Sequence, residues 1–135
     1  MVDTDLRMTV ATDSDIVTTR SEGRRFASAL NFTSSDLTVI ATAISEIVRN
    51  VVSYAGRGEV FMRLAEKDGL RGVEIVTRDE GPGIGDLDLA LQDGYSTSGS
   101  LGLGLPGARR LMDEFEIDSE VGRGTVVTMR MWTRK

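Results

Sequence analysis

Four short stretches of the chain carry residue types from which chemistry could be built. Glu46 and Asn50 stand four residues apart in a helix-periodic segment, so a carboxylate and an amide oxygen are neighbours on one face. Asp79-Glu80-Gly81-Pro82-Gly83 closes an alternating segment in which Asp79 shares a face with Val73, Ile75 and Thr77. A carboxylate on that packed face is costly unless something donates to it, and an exocyclic amine of a ligand base is one such donor. Gly81 and Gly83 permit tight turns and a close approach of backbone to a ligand. Ser96-Thr97-Ser98-Gly99-Ser100-Leu101-Gly102-Leu103-Gly104 runs into Pro106, a residue suited to a first helical turn. Free N–H groups and the positive end of a helix dipole are thereby offered to a phosphate. Finally, in Gly122-Arg123-Gly124-Thr125 the Thr125 hydroxyl has the parity of Val127, Met129 and Met131, which points it to the same inner face as Asp79.

Each stretch alone also has a plainer reading: a solvated helix face, an ordinary turn, a flexible loop, a hairpin. Gly102 to Gly107 also matches G-x-G-x-x-G, with Asp118 further on. A dinucleotide fingerprint is rejected because no strand precedes Gly102, and the chain is too short for a doubly wound sheet with a substrate domain.

Composition limits the chemistry further. The 135 residues contain neither Cys nor His, which removes disulfides, thiolate zinc sites, a cysteine nucleophile and imidazole in any role. Sixteen basic against 21 acidic residues give a net charge of −5, which argues against sequence-blind binding to nucleic acid or acidic lipid. The longest apolar runs are a few residues, so no membrane span is expected. Met1-Val2-Asp3-Thr4-Asp5 does not read as a signal peptide, and a cytoplasmic protein is expected.

The elements that must position these residues follow from periodicity. Leu6 to Val10 alternates as a strand, and Asp13 or Ser14 caps a helix reaching about Leu30. Thr33 to Asp36 has capping-box form, and a long helix follows to about Tyr54. Its apolar stripe of Leu37, Ile40, Ala41, Ile44, Val48, Val51 and Val52 leaves Glu46 and Asn50 on the other side, with Val39 and Ala43. Glu59 to Glu66 and Val73 to Asp79 read as strands joined at Asp68-Gly69. Ten of the 15 glycines lie between Gly81 and Gly124. The stretch Glu80 to Gly104 is therefore expected to be irregular and lid-like, with one helical turn at Asp88 to Gln92. A helix from Pro106 to Phe115 and strands Glu116–Val121 and Thr125–Thr133 complete a single domain over 1–135, a two-layer α/β sandwich.

The order of the four stretches is more telling than any one of them. Glu46-x-x-x-Asn50, Asp79-x-Gly81-x-Gly83, the Gly99 to Gly104 loop and Gly122-x-Gly124-Thr125 together resemble the ATP site of the GHKL superfamily. That superfamily embraces gyrase, heat-shock chaperones, mismatch-repair ATPases and sensor histidine kinases. Within it, Thr42 to Asn50, Tyr54-Ala55-Gly56, Gly94 to Gly99, Gly104 to Gly107 and Arg110 to Phe115 resemble the small RsbT-type serine/threonine switch kinases of bacterial partner-switching systems and the stressosome. Anti-sigma factor kinases are related, with a less similar lid.

The resemblance implies a Bergerat ATP-binding fold: a mixed, mostly antiparallel sheet covered on one face by helices (α+β), with a lid loop. It assigns Asn50 to Mg²⁺, Asp79 to the adenine amino group, and Thr125 to the adenine through its hydroxyl or a water. Gly102 and Gly104 would give backbone N–H groups to the phosphates, and Glu46 would be the base that polarises the attacking hydroxyl. Gly81, Gly83, Ser98, Gly99 and Leu103 complete the nucleotide-binding set. Implied partners are a STAS-domain protein phosphorylated on Ser or Thr, a metal-dependent serine phosphatase activated on release, and a sigma factor in the anti-sigma branch. The absence of His fits a serine kinase. Two alternatives stay open: a non-catalytic module that ATP only switches, and an anti-sigma kinase whose main task is to sequester a sigma factor.

Overall fold

The computed structural model describes residues 6–81 and 105–133. Five strands, β1 (Leu6–Val10), β2 (Gly58–Lys67), β3 (Leu70–Asp79), β4 (Glu114–Glu120) and β5 (Gly124–Trp132), form one sheet in the order β1-β2-β3-β5-β4. Every described pairing is antiparallel. Helices α1 (Asp13–Ala27), α2 (Ser34–Asn50) and α3 (Leu105–Leu111) accompany the sheet. The expected two-layer arrangement is met.

One face of the sheet holds the core. Val10, Val60, Met62, Val73, Ile75, Val127, Met129 and Met131 are buried there, together with Ile40, Ile44, Ile47 and Val48 of α2. In α1, Gly23 allows the close approach: a Cβ there would lie 2.9 Å from Met62 Cε and collide with Ile44 Cδ1. The 22 residues Ser34–Ala55 are long and apolar enough to cross a membrane by length and composition, an 18-residue window reaching a mean hydropathy of 1.2. Six buried apolar side chains of α2, Ile40, Ala41, Ala43, Ile44, Ile47 and Val48, contribute to that character because they are turned into the protein interior.

Local signals explain most element boundaries. Thr33 caps α2 with the expected reciprocal pair, its Oγ1 accepting from Asp36 N at 3.0 Å. The start of α1 differs from expectation: Thr12 is the cap, not Asp13 or Ser14. Asp15 accepts from the backbone N–H of Ala11 (2.8 Å) and Thr12 (3.0 Å), a capping box written Thr-x-x-Asp. Those two donors hold the Asp15 carboxyl below its ordinary range. The helix also stops at Ala27 rather than Leu30, where the Ser28 hydroxyl donates to Arg25 O.

Two further boundaries differ. α3 ends at Leu111, and Phe115, expected as helix, instead pairs with Met129 in β4. The β5 ladder and the bonds of Glu114 take that segment out of the helix. After Asn50, α2 does not continue as α-helix: Val51–Ala55 is a π-helical turn, closed by a bond from Gly56 N to Val51 O, with Gly56 left-handed at φ +80°. β2 and β3 are joined by Asp68-Gly69, both at positive φ (+53° and +82°), the backbone of a two-residue hairpin turn.

The opposite face of the sheet carries a row of alternating charges across four strands. Glu74 accepts from Arg63 (2.7 Å) and Arg130 (2.8 Å), and Arg130 also donates to Glu114 (2.9 Å). Glu114 accepts from Lys67 and from the Trp132 indole as well, and these donors pull its carboxyl down to about 2.

Candidate active site

The site forms where α2 ends and where β3 and β5 meet. β3 and β5 run antiparallel with Asp79 opposite Thr125, and β2 places Gly58 opposite Asp79 on its other side. Three glycines pack around Asp79. A Cβ on Gly58 would lie 2.6 Å from Val51 Cγ1 and 3.2 Å from Asp79 Cβ. A Cβ on Gly81 would lie 2.6 Å from Ala55 Cβ and 3.2 Å from Asp79 Oδ1. Gly124, at φ +112°, packs directly on the backbone of Asp79 and Glu80. The π-helical turn therefore sits against Gly58 and Gly81 through Val51 and Ala55. Because that turn begins at the residue after Asn50, the C-terminal end of α2 is fixed beside the end of β3.

Asp79 is half-buried, and burial pushes its carboxyl above the ordinary value of 3.8. Two backbone donors oppose this without cancelling it: Gly81 N–H at 2.9 Å, and Thr125 N–H. The Thr125 hydroxyl lies 2.8 Å from Ser119 Oγ of β4, and Ser119 also donates to Gly124 O at 3.0 Å. Clefts of about 260 Å³ and about 380 Å³ open on either side of Asp79. Asp79, Ser119, Gly124 and Thr125 line the first, and Ala55, Gly58, Arg78 and Asp79 the second.

On α2, Asn50 is half-buried, and its Nδ2 is fully buried with no hydrogen-bond partner among the described residues. An orphaned amide donor of this kind costs about 1–3 kcal/mol unless a ligand supplies the acceptor. Glu46, one turn earlier, keeps a third of its side chain exposed and lies 3.6 Å from Arg49. The helix buries more of its circumference than one stripe: Ala43 and Ile47 are also buried, and α3 packs against α2 with Ala108 and Met112 in the core. Glu46 and Asn50 lie on the flank of that wider buried sector.

Glu46, Asn50, Asp79, Gly81 and Thr125 thus occupy the ends of α2, β3 and β5. Gly83, Ser98, Gly99, Gly102, Leu103 and Gly104 lie outside the described residues, as does the helical turn expected at Asp88 to Gln92. Sequence reading missed Ser119, Gly58 and Ala55. Ser119 was findable, since it shares the inward parity of Phe115 and Ile117 and is the one hydroxyl among them. No group of three or more carboxylates suited to a metal occurs among the described residues. A divalent cation that keeps most of its water and phosphate oxygens needs only one amide oxygen, and Asn50 fits that demand.

Comparison with known proteins gives this geometry a family. The model of the histidine kinase-like ATPase domain matches residues 9–131. The chain is 45% identical over 125 residues to the serine/threonine-protein kinase RsbT of Bacillus subtilis, covering 93% of this chain and 94% of that protein. It is 35% identical over 112 residues to the anti-sigma F factor of Geobacillus thermodenitrificans, covering 78% and 75% respectively. In structure it resembles the crystal structure of the RsbU and RsbW domains of a Mycobacterium tuberculosis protein, with a TM-score of 0.64 at 24% identity. The match covers 98% of this chain and 33% of that one, so the chain spans a third of its length and shares a fold with part of it. By the extent of the family match and the identity to its relatives, this chain belongs to the histidine kinase-like ATPase family.

Proposed function

We propose that the protein is a cytoplasmic ATP-dependent serine/threonine protein kinase of a bacterial partner-switching system, residues 1–135 forming its single kinase domain. The observation that carries the reading is the pairing of Glu46 with Asn50 beside the Asp79–Thr125 end of the sheet, in a chain 45% identical to a serine/threonine kinase. Asp79 accepts from the adenine amino group, and Thr125 holds the base through its hydroxyl or one water. Gly81 and Gly83 let backbone come close to the ligand, Gly102 and Gly104 give backbone N–H groups to the phosphates, and Ser98, Gly99 and Leu103 belong to the same nucleotide-binding set. The unpartnered Asn50 amide meets the polyanion, with its oxygen free for Mg²⁺. When bound, Mg²⁺ neutralises phosphate charge, the main requirement of phosphoryl transfer beyond positioning. Glu46, polar and open to solvent at one edge, takes the proton of the attacking hydroxyl.

The acceptor is a Ser or Thr of a STAS-domain protein, and the released kinase activates a metal-dependent serine phosphatase. Neither nucleic acid nor membrane is a partner in this reading, in keeping with a net charge of −5. A second reading, a kinase that also sequesters a sigma factor, draws on the 35% identity to an anti-sigma F factor.

The test is single-turnover transfer from γ-labelled ATP to the STAS proteins encoded beside this chain, run with ATP titration. Glu46→Ala is expected to bind Mg²⁺–ATP nearly as the wild type does and to transfer phosphate at least about a hundredfold more slowly. Asn50→Ala is expected to lose affinity and transfer together. Wild-type rates from Glu46→Ala would remove it as the base. Wild-type protein that binds ATP but labels no STAS partner leaves only the switched binding module.

A further inference from the structure

Asn50 is the last residue of α2, and its buried Nδ2 has no hydrogen-bond partner among the described residues, so no bond from that nitrogen orients the amide. Its position falls to the backbone that follows. There the helix widens: Gly56 N–H closes on Val51 O, so the turn Val51–Ala55 takes in one residue more than an α-helical turn would. The two ends of this turn rest on two glycines. Val51 is only 3% exposed, and a Cβ on Gly58 would come within 2.6 Å of its Cγ1. Ala55 packs over Gly81 in the same way. Both glycines flank Asp79. Gly58 is its partner in the β2–β3 ladder, and the Gly81 N–H donates to its carboxylate at 2.9 Å.

We infer that Val51 is a positioning residue for the metal-holding amide: by packing on Gly58 it keeps the π-helical turn wide and sets Asn50 at a fixed distance from Asp79. The inference rests on the reading of Asn50 as a magnesium ligand and extends it to a side chain with no polar atom. Phosphoryl transfer requires metal, phosphates and base to be held in one geometry. The helix that carries Asn50 and the strand that carries Asp79 are separate elements. Val51 on Gly58 joins them, one residue from Asn50 and directly across the ladder from Asp79. Octahedral coordination of Mg²⁺ tolerates little displacement of a ligand oxygen. Truncating Val51 leaves space over Gly58 into which the turn relaxes, and Asn50 moves with it. Asp79 and Thr125 keep their places, because the β3–β5 ladder holds them. The defect is therefore one of metal and triphosphate, with base binding spared.

The test measures ATP affinity by calorimetry with Mg²⁺ and with EDTA, the ratio reading the metal, and ADP affinity in EDTA, which reads the base strand. Wild type, Val51→Ala, Val51→Thr and Val48→Ala are compared beside thermal melting. Val51→Ala is expected to lose about threefold to tenfold of the magnesium gain, the worth of one polar contact, with ADP affinity in EDTA changed less than about twofold. Val51→Thr keeps the branched shape but buries a hydroxyl, and is expected to melt lower yet keep the gain. Val48→Ala makes the same truncation at a fully buried site one turn away, and is also expected to melt lower with the gain intact. In an Asn50→Ala background, Val51→Ala is expected to change the ratio no further, which assigns the loss to that amide. If the wild type gains from Mg²⁺ and Val51→Ala keeps the whole gain, or Val48→Ala loses as much, this inference falls and the metal reading stands. If wild-type affinity is equal with Mg²⁺ and EDTA, or Asn50→Ala keeps the gain, the reading of Asn50 falls and takes the inference with it.

Discussion

Asp79 is held in a compromise between what the fold prefers and what a donor ligand prefers. Burial favours its neutral form, while the Gly81 and Thr125 N–H groups favour the carboxylate and do not fully win. The sign of the consequence follows by linkage. The native state gains from protonated Asp79, so this contribution is complete below the ordinary value of 3.8 and is lost as pH rises through the raised one. Asp79→Asn removes the ionisation, and the ligand-free variant is expected to melt no lower than wild type at neutral pH. The same change is expected to weaken ATP binding about tenfold to over a hundredfold, since a hydrogen bond to a charged group is worth about 1.5–3 kcal/mol. Wild-type affinity should also decline as the solution is acidified through the raised pKa. Calorimetry with pH-dependent melting checks both, and unchanged affinity in Asp79→Asn would dismiss the residue from adenine recognition. Strand parity made this residue legible from sequence: it put Asp79 and Thr125 on one face. The same parity puts Ser119 on that face, but its contacts with Gly124 and Thr125 come from the pairing of β4 with β5, which no single position marks.

Among the elements, the turns around Asp79 differ in what they tolerate. Gly122 and Gly124 flank one arginine and both have positive φ, at +85° and +112°. A Cβ on Gly122 meets nothing within 4 Å, whereas one on Gly124 strikes the backbone of Asp79 and Glu80. Gly122→Ala should therefore cost only backbone strain, about 1 kcal/mol. Gly124→Ala should cost clearly more and also loosen Asp79, so that melting temperature and ATP affinity fall together. Equal melting temperatures for the two variants would show that β3 and β5 are not held by this contact. Element boundaries were legible where one residue pair decides them, as at Thr33 and Asp36. They were not where tertiary bonds decide. Helical periodicity carries on through Phe115, and only the β5 ladder with the four donors to Glu114 and Asp113 stops it. The π-helical turn was invisible for the same reason, since Val51 and Ala55 take their places from Gly58 and Gly81 across the chain.

For the molecule as a whole, sequence pattern yielded the two layers and the number of strands, but not their order. That order depends on pairings between distant segments, for which a single chain carries no local mark. Two of the four ladders are local, β2 with β3 through Asp68-Gly69 and β4 with β5 through Val121-Gly122-Arg123. The other two are remote: β1 reaches β2 across both long helices, and β3 reaches β5 across residues 80–123. Strand order consequently sets a timetable for folding. Two hairpins can close in microseconds, yet the core is sealed only when they meet along β3 and β5, which makes the chain wait on a long loop closure. If that meeting belongs to the rate-limiting step, an insertion between β3 and α3 long enough to double the loop from β3 to β5 costs about 0.6 kcal/mol of closure entropy. Refolding should then slow about threefold while unfolding keeps its rate. Stopped-flow traces that show the change in unfolding instead would place the joining of the hairpins after the barrier. The segment from which a nucleotide lid is expected is then also the tether whose length governs how quickly the sheet is completed.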